Sequence, residues 1–141
     1  MNWKIADCAD GDRDIIGKNL VAYNMEQVPV TQRELFIDVN KKITDENGAI
    51  LAGCTAELYC WNVACVEMLW VDKRYRGRGL GTALLAEIER IAVEENCALI
   101  HLDTFDFQAK DFYIRHGYEV FGVLEDCPEG HCRYYLKKKL N

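Results

Sequence analysis

A chain of 141 residues, half of them hydrophobic and 28% charged, is long enough for one domain with a real core and too apolar for a disordered segment. Its formal net charge of -6 argues against general nucleic-acid binding and suits a cationic substrate. No run is apolar and long enough to span a bilayer and residues 1–8 lack a signal core, so the seven cysteines, odd in number and without a C-x-x-C spacing, are expected to stay reduced in the cytoplasm.

In chain order, residues 3–8 read as a short first strand. Residues 12–26 read as a helix, with an apolar stripe of Ile15, Ile16, Leu20, Val21, Tyr23 and Met25, and Pro29 ends that segment. Residues 34–42 alternate Leu35, Ile37 and Val39 with polar neighbours, as a half-exposed strand does. Asp45-Glu46-Asn47-Gly48 is a hairpin turn, and residues 49–60 are the return strand, with Gly53 at an expected bend or bulge. After a tight connection at Trp61-Asn62, residues 63–71 are apolar on both faces and are predicted to be a central strand.

Residues 80–95 form an amphipathic helix, with Leu80, Leu84, Ile88, Ile91 and Ala92 inward and Glu87, Glu89, Arg90 and Glu94 outward; Asn96 caps its end. Residues 97–103 are a further apolar strand, and 107–115 a short helix closed by His116-Gly117. Residues 118–124 and 132–138 are the last two strands, joined by a loop with Pro128 and Gly130. The order predicts an α/β fold: one domain over residues 1–141, with a mixed, largely antiparallel sheet flanked by helices.

The joint at residues 71–82 carries the most chemistry. Gly77, Gly79 and Gly81 let the backbone turn tightly and bring N–H groups up to a ligand at the start of a helix, where orphan donors favour an anion. Lys73, Arg74, Arg76 and Arg78 reverse the global sign here, which points to a phosphate-bearing ligand. It is not a Walker A loop, since no lysine precedes Thr82, and the G-x-G-x-G spacing is not the G-x-G-x-x-G of a dinucleotide fold.

Arg76-x-x-Gly79-x-Gly81 after a valine-ended strand resembles the pyrophosphate loop of the GNAT superfamily of N-acetyltransferases. The run Ala109-Lys110-Asp111-Phe112-Tyr113-Ile114-Arg115-His116-Gly117-Tyr118 resembles that family's other signature, with Ala109, Phe112 and Tyr113 on one helical face. The element order follows the same topology, so the resemblance covers nearly the whole chain, most closely that of small stand-alone bacterial members. It implies acetyl-CoA as cosubstrate and no metal. Its binding residues would be Leu69, Trp70, Val71, Arg76, Gly77, Arg78, Gly79, Leu80, Gly81, Thr82, Thr104, Ala109 and Phe112. It also implies that the strands at 63–71 and 97–103 splay apart so that pantetheine pairs with the exposed edge. Asp106 departs from the asparagine common in relatives, and Gln108 or Thr104 are the candidate substitutes.

In such a site an amine loses its proton, attacks a thioester carbonyl and expels a thiolate. The resemblance makes Tyr113 the group that protonates the thiolate; packing in the core is its alternative role. A backbone N–H around residues 69–71 would meet the oxyanion. Glu67 is the one charged residue in residues 63–71 and is costly to bury unless paired or protonated; it is a candidate general base, a holder of a cationic amine, or an ordinary hydrogen-bonded or edge-exposed glutamate. Asp103 is its rival, while His101 and His116 read as a strand-face and a helix-end histidine. Tyr23 and Asn24 enter as acceptor-cleft candidates through topology alone.

Cys65 or Cys97 as an acylated nucleophile is a minor variant without a cue for a lowered pKa. Cys127, His131 and Cys132 are poorly spaced for a metal. The expected partner is a small-molecule or peptidyl amine, with no nucleic acid and no membrane, and a homodimer is compatible. The competing reading is a non-catalytic acyl-CoA-binding or regulatory module.

Overall fold

The alternation in the first half of the chain becomes the edge hairpin of a six-stranded sheet, described here from a computed structural model of residues Met1–Asn141. Strands β1 (Phe36–Thr44) and β2 (Ile50–Tyr59) pair antiparallel, and the Asp45 carboxylate closes the turn by accepting from the Asn47 and Ala49 amides at 2.8 and 2.9 Å. β3 (Val63–Val71) returns antiparallel to β2, and helix α2 (Leu80–Glu94) carries the chain to β4 (Leu99–Phe105), parallel to β3. Helix α3 (Lys110–Arg115) precedes the closing hairpin of β5 (Glu119–Glu125) and β6 (Cys132–Lys139), giving the order β1-β2-β3-β4-β6-β5.

The chain divides into two units, Met1–Val30 and Thr31–Asn141. The first consists of helix α1 (Asp12–Gln27) and its leader; none of the helix's residues is buried, and Ile15, Ile16, Leu20 and Tyr23 are each more than half exposed. Residues 3–8 are not a strand: they have no ladder partner to take their backbone groups, and all are exposed. No helix is long and apolar enough to cross a membrane.

In the second unit one face of the sheet is dry. Ala52, Cys54, Ala56 and Leu58 alternate along β2, with Ala64 and Val66 on β3 and Ile100 and Leu102 on β4, all buried with Leu84, Leu85, Ile88 and Ala92 of α2. The alanines leave room for the helix to approach, and each fully buried leucine or isoleucine contributes about 1.5–3 kcal/mol of apolar transfer. Asn96 takes the left-handed conformation, φ 64°, that ends α2.

Two irregularities shape the other face. Ala56 pairs with Val66 and Thr55 with Met68, so Glu67 is an extra residue in β3, a β-bulge. Gly53 itself pairs regularly with Trp70 and Lys42; the surplus residues are Glu67 on the facing strand and Leu51, two positions before Gly53, which is skipped between the Ile43–Ala52 and Thr44–Ile50 pairs. β3 and β4 share only three rungs, ending at Cys65–His101, and then part. β3 is central in the sheet order, as its apolar character predicts, but its second half is open, with Met68 64% and Trp70 50% exposed.

Candidate active site

Where β3 and β4 part, a cleft of about 810 Å³ opens between them. The backbone sets its chemistry. Asp72 donates its amide to the Leu51 carbonyl, so by strand alternation Trp70 is turned into the ladder with β2 while Leu69 and Val71 point their N–H and C=O groups at the opening. The Val71 carbonyl accepts from Arg76 Nε at 3.1 Å; the two amides are left toward the cleft.

The glycine turn forms one end. A 3-10 turn at Lys73–Tyr75 leads into Gly77 and Gly79, which have φ of 75° and 85°, a region that side chains with Cβ rarely enter. Gly79 caps α2 without a side-chain hydrogen bond, so the amides of Leu80, Gly81 and Thr82 are the unsatisfied donors of the first turn. Gly81 matters for a different reason: a Cβ there would lie 3.4 Å from the Phe112 ring and 3.6 Å from Val71. Arg76, Gly77, Gly79, Leu80, Gly81 and Thr82 all line the cleft. Arg78 does not; its guanidinium lies 5.4 Å from the centre of the Tyr75 ring. Thr82 Oγ1 and His116 Nε2 are 3.2 Å apart, which ties the ends of α2 and α3.

The side wall comes from the end of β4 and from α3. The helix starts at Lys110, later than the expected 107, because residues 107–109 are held in a turn: Gln108 Oε1 accepts from the Phe105 amide at 2.8 Å and the Thr104 hydroxyl at 3.2 Å. Those bonds engage the Gln108 carbonyl oxygen and leave the donors of its NH₂ group, on a residue that lines the cleft, out of them. Asp106 lies outside the cleft, its carboxylate bound by the Cys132 amide and His131 Nδ1, each at 2.8 Å. Thr104, Ala109, Phe112 and Tyr113 complete the wall.

Tyr113 is 5% exposed and lines the cleft, and its hydroxyl has no hydrogen-bond partner in the protein. Burial, then Cys54 and Asp103, push its pKa well above the usual phenol range, so it enters any reaction protonated. Glu67 also lines the cleft, and it is exposed at the bulge, so it bears no cost of burial. Asp103 stands across the cleft, paired with Arg133 at 2.7 Å.

Cys54, Cys65 and Cys97 stay thiols. Burial raises Cys54 to about 11, and burial also raises Cys65, helped by Asp103, Glu67 and Glu57, and Cys97, helped by Glu95. No three His, Cys, Asp or Glu side chains are grouped to hold a metal ion.

Met68, Tyr75, Leu102 and Phe107 line the cleft as well and were not singled out in the sequence. Leu102, two residues before Thr104, was accessible to period-2 reasoning. Met68 was not, because the bulge resets the parity of β3.

The acetyltransferase (GNAT) domain family matches residues 31–120. The chain belongs to the GNAT acetyltransferase family. It is 38% identical over 96 residues to the blasticidin-S acetyltransferase of Streptomyces morookaense, spanning 67% of this chain and 70% of that relative. An acetyltransferase from Bacillus cereus ATCC 14579 has the same fold at TM-score 0.89 and 37% identity, over 97% of each chain. A Bacillus anthracis acetyltransferase solved in complex with acetyl coenzyme A shares the fold at TM-score 0.65 and 23% identity, over 74% of this chain and 63% of that one. The chain is thus an N-acetyltransferase of the GNAT type, a family that uses acetyl-CoA.

Proposed function

We propose that this GNAT enzyme, working as one domain over residues 1–141, moves an acetyl group from acetyl-CoA to a primary amine of a small molecule by direct attack on the thioester. The observation that carries this reading is the parting of β3 and β4: it leaves the Leu69 and Val71 amides unpaired in the same cleft as the buried Tyr113, whose hydroxyl has no protein partner. The cosubstrate supplies a thioester whose carbonyl becomes an oxyanion when attacked.

The residues divide the work by chemistry. The amides of Leu80, Gly81 and Thr82, the left-handed turn at Gly77 and Gly79 and the Arg76 guanidinium suit the pyrophosphate, and Arg78 adds positive charge at the rim. Thr104, Gln108, Ala109 and Phe112 flank the path of the pantetheine arm, where the Gln108 NH₂ offers the donor that Asp106 lacks. Trp70 contributes an exposed ring at the open edge. The Leu69 or Val71 amide faces the developing oxyanion.

Tyr113 donates to the departing thiolate. A phenol with a raised pKa is a poor acid in water, but the cleft that desolvates Tyr113 also desolvates the thiolate and raises its proton affinity. Raised thiol pKa values at Cys65 and Cys97 disfavour an acyl-enzyme. Glu67 and Asp103, both open to the cleft, suit an acceptor that arrives as a cation, as does the net charge of -6.

The test is thiol release from acetyl-CoA with a panel of amines: blasticidin S, spermidine, an aminoglycoside, free lysine and a lysine-containing peptide. Release is expected only when an accepted amine is present. Acetyl-CoA binding by calorimetry without release for any of the five would overturn the reading in favour of a non-catalytic acyl-CoA-binding module.

A further inference from the structure

We propose that His116 aims the Thr82 hydroxyl at the diphosphate of the cosubstrate, as a positioning residue whose Nε2–H donates to Thr82 Oγ1. This role rests on the acetyl-CoA reading of the cleft and adds to it a residue from behind the wall. Thr82 lies in the first turn of α2 and lines the cleft, among the backbone amides that the glycine turn leaves unsatisfied. Its Oγ1 is 3.2 Å from Nε2 of His116, the residue that ends α3, and has no other partner in the protein.

The imidazole is held in place from two directions. It packs on Phe112, with ring centroids 4.6 Å apart at 61°, and Phe112 lines the cleft. The His116 carbonyl accepts from Lys138 Nζ at 2.8 Å, and the same ammonium pairs with Glu89 at 2.7 Å. Glu89 follows Thr82 by about two helical turns, so both project from one face of α2. His116 is thus tied to that face twice, through its side chain and, by way of Lys138, through its backbone. Leaving Thr82 would also cost the ring its packing on Phe112.

Which group supplies the proton between them decides what the cleft meets. A hydroxyl has one proton and two lone pairs, and a neutral imidazole donates through one nitrogen and accepts through the other. With Nε2 bare, Thr82 gives its proton to the ring and keeps only lone pairs for the cleft, where they repel a diphosphate. With Nε2 protonated, the ring donates to Oγ1 and the hydroxyl proton is free to meet a phosphate oxygen. The exchange balances within the imidazole: the Nδ1–H bond breaks, an Nε2–H bond forms, and solvent carries the proton across. Nδ1 has no protein partner to oppose it. A bound diphosphate selects the donating form, because its charge favours every N–H and O–H turned toward it.

The experiment is calorimetric titration of CoA into wild type, His116→Leu, Thr82→Val and the double variant. Each single substitution is expected to weaken CoA binding by roughly tenfold, and the double variant no further than Thr82→Val, because both remove the same hydrogen bond. His116→Gln keeps an N–H where Nε2 stood and should hold affinity within about twofold of wild type, a rescue that a role in packing against Phe112 would not produce. Nitrogen-15 spectra of the histidine rings should show Nε2 of His116 protonated in the CoA complex.

Losses that add to about a hundredfold in the double variant, or CoA affinity unchanged in His116→Leu, would overturn the role of His116 and leave the cofactor reading intact. A bare Nε2 in the complex, or a glutamine variant as weak as the leucine one, would do the same. Wild-type protein that takes up no CoA would remove the cofactor reading and this role together. Should His116→Leu fail to fold by circular dichroism, His116→Asn, whose side chain is too short to reach Thr82, takes its place in the cycle with the same outcomes.

Discussion

From Val63 to Cys65, β3 is laddered on both edges; from Glu67 to Val71 it keeps β2 but has lost β4. The two stretches have similar apolar sequences and different duties. In the first, Ala64 is fully buried against the core, and the strand spends its backbone groups on neighbours. In the second, the amides of Leu69 and Val71 face open space while Met68 and Trp70 are at least half exposed. Exposed apolar side chains beside unpaired amides amount to half of a strand pairing, and an extended amide-bearing ligand supplies the other half. The comparison teaches that an apolar strand is evidence of a partner, not of which partner.

The largest expected effect comes from breaking the closed half. Ile100 is fully buried and pairs with Ala64. Ile100→Ala removes three carbons from a site that α2 and β2 cannot collapse into, and should cost about 2–5 kcal/mol in denaturant unfolding. A loss below about 1 kcal/mol would mean that this end of the core is loosely packed.

Breaking the open half should leave stability nearly untouched and remove turnover. Tyr113→Phe deletes one hydroxyl that has no protein partner, so folding loses little. Thiol release should fall by about a hundredfold or more, with KM for acetyl-CoA little changed. Undiminished kcat would take Tyr113 out of the chemistry and reduce it to a wall of the cleft.

Much of this division was legible from residue order, and the illegible part has a common cause. The glycine turn, α2 with its Asn96 end and the hairpin at Asp45 are local: their signals are glycine spacing, a 3.6 period and an Asx turn, all contained within a few residues. The vertex at Cys65–His101 and the bulge at Glu67 depend on which residue faces which across strands far apart in sequence. Nothing within residues 63–71 announces that one of them is surplus. That is why the surplus position at Glu67 and the exposure of Met68 have no local signal. Residues 3–8 differ for the converse reason, since an apolar-containing stretch without a ladder partner makes no strand. The start of α3 was missed because Gln108 holds residues 107–109 in a turn through its side chain.

The smallest effect tests whether the open half is open on its edge alone. Cys54 pairs with Leu69, so it lies behind the open stretch, yet it is fully buried and its thiol is raised from 9.0 to about 11. The sign follows from linkage: the unfolded chain loses the Cys54 proton above about pH 9, while the folded one holds it until about pH 11. Stability from this group is therefore complete below pH 9 and is lost as pH rises toward 11, by at most about 3 kcal/mol. Cys54→Ala should flatten that part of the alkaline slope in denaturant titrations at stepped pH, while the ionisation of the other cysteines and the tyrosines remains. A slope identical in the variant would mean that water reaches Cys54 through the cleft. The dry face would then be breached behind Leu69, and the low-polarity surroundings that keep Tyr113 protonated and raise the thiolate's proton affinity would be lost with it.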